Sequence, residues 1–100
     1  MSITPRKTAY LKGDRLHCSA TGNPLPAYSW EDVDTGYAVE GTLLTVDDTM
    51  VQRRVNTYRC TAENVLSGKR KTAVATVTFT VDNVEGLALY VMQYYRIFLM

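Results

Sequence analysis

Few side chains in this sequence could do chemistry. They are two cysteines, Cys18 and Cys60, the single histidine His17, an acidic run of Glu31, Asp32 and Asp34, and a basic run, Lys69-Arg70-Lys71. Neither cysteine belongs to a CxxC motif and only one histidine accompanies them, so the ligand set of a zinc site is missing. Two thiols so placed have two ordinary fates. They pair in an oxidising compartment, or each serves as a small core residue. His17 could act as a base only beside a positioned nucleophile and an orienting carboxylate, and its surroundings in the sequence suggest neither. A calcium site needs several oxygens converging on one point, and the acidic run lacks the spacing of an EF-hand loop. A polar turn is the plainer reading. We therefore expect no catalytic, metal or cofactor site, and no enzyme.

The basic run admits a functional reading, an anionic partner such as a sulfated glycan or an acidic protein surface. Ordinary solubility is the plainer reading and weighs more. The formal net charge of +1 lacks the strong basic bias of a nucleic-acid-binding domain. Asn23 is followed by proline, and Asn56, Asn64 and Asn83 lack Ser or Thr two residues on, so there is no usable glycosylation sequon.

The elements that must position these residues follow a period of two. Leu16, Cys18 and Ala20 alternate with Arg15, His17 and Ser19. Tyr28 and Trp30 flank Ser29, and Leu44 and Val46 flank Thr45. Tyr58, Cys60 and Ala62 alternate with Arg59, Thr61 and Glu63. Ala73, Ala75, Val77, Phe79 and Val81 alternate with Val74, Thr76, Thr78 and Thr80. Each run reads as a strand with one face inward and one face wet. Turn signals separate the runs at Gly13-Asp14, Gly22-Asn23-Pro24, Thr35-Gly36, Asp47-Asp48 and Ser67-Gly68. Residues 5–10 suggest a further edge strand. No stretch before residue 86 has helical periodicity. The chain has 100 residues, 46% of them hydrophobic and 21% charged, which suits one folded all-β domain.

Between Cys18 and Trp30 lies the turn-rich stretch Asn23-Pro24-Leu25-Pro26. Proline lacks a backbone donor and restricts the residue before it, so one strand must end there and another begin. Cys18, Trp30 and Cys60 share inward parity and are expected to meet between two facing sheets.

Cys18, Trp30 and the Tyr58-x-Cys60 pair together resemble the framework of the immunoglobulin superfamily, in its I-set or C2-type form. GDRLHCSATGNPLPAYSW resembles strands B and C, TLLTV strand E, NTYRCTAEN strand F and KTAVATVTFTV strand G. The resemblance covers residues 4–82. It implies an immunoglobulin-like antiparallel two-sheet sandwich, a Cys18–Cys60 disulfide, and a framework core of Leu16, Trp30, Leu44, Val46 and Tyr58. The interval from Trp30 to Cys60 leaves no room, on this reading, for the extra C′ and C″ strands of a variable-type domain. The family often has an aspartate six residues before the second cysteine and a glycine or alanine four before it. Arg54 and Asn56 stand there instead. The tyrosine corner can still form, but the aspartate-based ion pair beside it is expected to be absent.

The resemblance implies a recognition module of a cell-surface or secreted protein, serving adhesion or receptor–ligand contact on the extracellular side. The partner would be a protein, homophilic or heterophilic, or the sulfated glycan already named. It would use a loop end or a sheet face, such as the one bearing Thr76, Thr78 and Thr80. The alternative is a structural I-set spacer, either in an intracellular muscle or cytoskeletal protein or in an extracellular-matrix array. The start, MSITPRK, has no signal-peptide pattern. Residues 83–100 form an apolar tail. Within it LALYVMQYYRIFLM is shorter than the roughly 20 residues of a membrane helix. It reads first as the beginning of a membrane-spanning segment, next as non-native sequence from mis-splicing, and third as an amphipathic stretch packed on the domain. Any membrane contact would come through this tail alone.

Overall fold

Alternating polarity becomes alternating burial along most of the strands. In the computed structural model, residues 1–22 and 25–82 are described. The strands are β1 (Ser2–Thr4), β2 (Ala9–Leu11), β3 (Arg15–Ser19), β4 (Ala27–Asp32), β5 (Ala38–Glu40), β6 (Leu43–Thr45), β7 (Asn56–Leu66) and β8 (Lys69–Asp82), with one helix, α1 (Asp48–Gln52), before β7. On β3, Leu16 and Cys18 are buried while Arg15 and His17 are exposed. On β8, Val77 and Phe79 are buried while Thr76, Thr78 and Thr80 are exposed.

The strands form two sheets, ordered β1-β3-β6 and β2-β8-β7-β4-β5. The first is antiparallel. The second is mixed, because β2 runs parallel to β8, pairing Ala9 with Thr80, Tyr10 with Val81 and Leu11 with Asp82. The expected purely antiparallel sandwich is corrected at this edge. The chain leaves the first sheet at Pro5, which has no donor to continue a ladder, and β2 joins the second. The Thr4–Pro5 peptide is cis. The Tyr10 hydroxyl secures the crossing, donating to the Pro5 carbonyl at 2.6 Å and accepting from the Lys7 amide at 2.9 Å.

Two further elements go beyond the sequence reading. No room is expected for extra C′ and C″ strands between Trp30 and Cys60, yet a strand follows β4 there, and β5 pairs with it through Ser29–Glu40, Trp30–Val39 and Glu31–Ala38. A tight turn makes this fit, with Gly36 at φ +78° and its amide bonded to the Asp32 carbonyl at 2.7 Å. The helix α1 stands where the Asp47-Asp48 pair signalled a turn. Asp47 caps it by accepting from the Met50 amide at 3.1 Å. A helix of one turn is too short to leave a periodic signal.

The core lies between the sheets. Leu16, Cys18, Trp30, Val46, Cys60 and Phe79 are essentially fully buried, and Leu44 and Tyr58 nearly so. Cys18 on β3 and Cys60 on β7 form a disulfide that joins one sheet to the other, with Cα atoms 6.5 Å apart. Trp30 pairs directly with Cys60 in the β4–β7 register, and its indole Nε1 donates to the Thr42 carbonyl at 2.9 Å. The indole therefore packs in the core while its one polar group is satisfied. Tyr10 meets Phe79 edge-to-face, with ring centroids 5.0 Å apart.

Residues 83–100, with the apolar segment within them, lie outside the described residues. Among the described residues no helix is long and apolar enough to cross a membrane.

The bridge spans 42 residues of sequence. Cross-linking a loop of that size removes roughly 4 kcal/mol of denatured-state freedom on the chain-entropy model. Urea unfolding of Cys18→Ala/Cys60→Ala should therefore show a loss of about that size against the oxidised chain. An unchanged midpoint would contradict it.

Candidate functional site

The long β7–β8 hairpin organises the exposed chemistry. Its two-residue turn, Ser67-Gly68, holds both residues at positive φ, +54° and +76°. That is the turn whose twist matches the flanking strands. All eleven residues of β7 then pair in order with β8, from Asn56–Phe79 to Leu66–Lys69. Because side chains alternate along a strand, the register assigns every residue to a face.

The basic run does not form one patch. Asn64–Lys71 and Leu66–Lys69 continue the inward series that runs from Asn56–Phe79 through Cys60–Ala75 and Ala62–Ala73. Val65–Arg70 falls in the outward series. Arg70 therefore turns away from Lys69 and Lys71, and its Nε meets Glu63 Oε1 at 2.8 Å. The sequence brings the three cations together. The pleat separates them two against one.

The acidic run also divides. Glu31 lies on the outer face of the five-stranded sheet, 3.8 Å from Arg59. Asp32 is turned inward at the end of β4 and is only 4% exposed. Its Oδ2 accepts from Arg53 Nη1 at 2.5 Å, and its Oδ1 from the Asp34 amide at 3.0 Å. No group of three or more His, Cys, Asp or Glu among the described residues could hold a metal ion. His17 is exposed on β3.

The Asp32–Arg53 pair corrects the expectation that no aspartate-based ion pair stands near the tyrosine. Such a pair is present, built from other residues. The Tyr58 hydroxyl points at the Asp32 carboxylate, at a long 3.5 Å. Burial works to raise the Asp32 pKa, but the Arg53 hydrogen bond and charge, with the Asp34 amide, outweigh it and hold the carboxyl below its ordinary value. Burial first, and then the Asp32 charge, push the Tyr58 hydroxyl above its ordinary value. The signal was available in the sequence, since Asp32 continues the inward parity of Tyr28 and Trp30. Its partner 21 residues on was not.

The outer face of the five-stranded sheet carries Ser29 and Glu31 from β4, Thr57, Arg59, Thr61 and Glu63 from β7, and Arg70 to Thr80 in alternation from β8. Its charges are largely compensated by the Arg59–Glu31 and Arg70–Glu63 pairs. Thr57 and Thr78 bring their hydroxyls within 3.2 Å. Val65 and Val74 add exposed apolar area. Among the described elements none is stacked on this face.

The described residues thus form a disulfide-linked, two-sheet β-sandwich. No protein family, curated protein or solved structure matches the chain.

The buried ion pair makes a prediction with a defined sign. In the native chain the depressed Asp32 pKa contributes stability that is present above the unfolded value and lost as pH falls through the folded value. Arg53→Met leaves the carboxylate buried without its cation, which reverses the direction of the shift. Urea midpoints at pH 7 and at pH 2.5, below the ordinary carboxyl value of 3.8, should fall on acidification for the native chain and rise for Arg53→Met. Parallel profiles would contradict this account.

Proposed function

We propose that the chain is a non-catalytic recognition module, an immunoglobulin-like domain of a cell-surface or secreted protein. It binds a protein partner through the outer face of its five-stranded sheet. The observation that carries this reading is that face itself. It is broad, uncovered among the described elements, studded with threonines, and balanced in charge, with Val74 exposed in its middle and Val65 exposed near the hairpin turn. Mixed polar and apolar surface of this kind suits a specific contact of modest affinity, with charge pairs giving selectivity more than strength. The cysteine–tryptophan–cysteine framework and the grouping of β1, β3 and β6 against the β7–β4 sheet support the family reading. A disulfide favours an oxidising compartment, and so an extracellular setting over an intracellular spacer. A sulfated glycan gains less support, because the basic run is divided between two faces.

A direct test displays the chain on beads and scores attachment to one another and to cells. Val74→Glu, in the centre of the outer face, should reduce attachment about tenfold, the scale of one lost hot-spot contact. Arg15→Glu, exposed on the facing sheet, should leave it unchanged. If native beads attach to nothing, or both variants lose attachment alike, the reading falls.

A further inference from the structure

The hairpin outruns the sheet it packs against. β1 and β3 are joined at the Ser2–Ser19 pair, where β3 stops. β7 and β8 continue, and their inward series passes from Ala62, which is 3% exposed, to Leu66, which is 56% exposed. The overhanging inner face bounds a groove of about 350 Å³. Ala20, Pro26, Ala62, Leu66 and Ala73 give it a mainly apolar lining, interrupted by Thr21, Asn64 and Thr72, and Lys71 stands in its wall. This volume lies within the range of small-ligand clefts.

Lys69 follows Lys71 on the same inward series, at the hairpin tip. Both lysines are exposed, and neither has an ion-pair partner among the described residues, whereas Arg70 is held by Glu63. An apolar floor with two unneutralised ammonium groups along one side is complementary to one kind of occupant. That occupant offers an apolar side chain to the floor and a carboxylate to the ammonium groups.

We propose that this groove takes an acidic peptide segment of a partner protein. An apolar side chain of the peptide lies on Ala62 and Ala73, and an adjacent carboxylate pairs with Lys71, with Lys69 engaging the next acidic residue. A sulfated polysaccharide could meet the two lysines but has no apolar side chain to set against Ala20, Pro26, Ala62 and Ala73. A peptide with alternating apolar and acidic residues satisfies both walls. This deepens the recognition reading and rests on it, but assigns a second contact, at the end of the sandwich and on the opposite side of the hairpin from the outer face.

The test uses the intact, oxidised chain and a fluorescein-labelled hexapeptide of alternating leucine and glutamate, read by anisotropy at low and at physiological salt. Saturable binding is expected. Lys71→Gln, which keeps the aliphatic stem, should weaken it about tenfold, and Lys69→Gln several-fold. Arg70→Gln, on the other face, should leave it within about twofold, well under the 1.4 kcal/mol that separates tenfold changes. A serine–glutamate hexapeptide of the same charge should not saturate. Equal binding by that peptide, equal loss with Arg70→Gln, stronger competition by a heparin fragment than by unlabelled peptide, or no saturable binding would each overturn the proposal. Val74→Glu should bind the hexapeptide normally. If the hexapeptide fails to bind while Val74→Glu still reduces bead attachment, the groove proposal alone falls.

Discussion

A covalent link between facing sheets, with an indole packed beside it, is the constraint on which the rest depends. Cys18 and Cys60 tie β3 to β7, and Trp30 lies in register with Cys60 on the neighbouring strand. A domain of this size buries only a limited core, so reducing the freedom of the unfolded chain matters as much as adding contacts to the folded one. The bridge is set near the middle of β7. It divides that strand into a half gripped by the core, from Asn56 to Cys60, and a half that runs out to the exposed turn. Both candidate contact surfaces belong to the hairpin so anchored, one on each side.

Near the other end of β7, a buried charge takes over the role of a cross-link. Asp32 closes β4, Arg53 follows α1, and Tyr58 belongs to β7. Burying a carboxylate is unfavourable unless it is paired and hydrogen-bonded. Here Arg53 and the Asp34 amide meet both oxygens. The arrangement fixes where the chain after α1 re-enters the sheet. Asn56 adds to it, its Nδ2 donating to the Met50 carbonyl at 2.9 Å. This buried amide thus serves as a tie to the helix end.

Strand positions and faces were legible because exposure and polarity alternate together, as along residues 58–63 and 73–81. The Ser67-Gly68 turn was legible because its residues favour the positive φ it needs. Pairing between distant segments was not. Nothing near Ala38 marks it as a partner for Glu31, and nothing near Ala9 marks it as a parallel neighbour of Thr80. The same applies to Asp32 and Arg53, whose meeting depends on how the chain between them turns. The basic run taught the converse lesson. Its three cations were obvious in the sequence, but the pleat assigns them to opposite sides, and only the register says which.

The parallel contact between β2 and β8 has a mechanical side. β8 closes the described fold, β2 follows only β1 near its start, and the two point the same way, so tension applied along them would slide one past the other. Their hydrogen bonds would then share the load together instead of opening one after another. An edge that looks like a minor addition to the sheet thereby becomes the clasp that resists stretching.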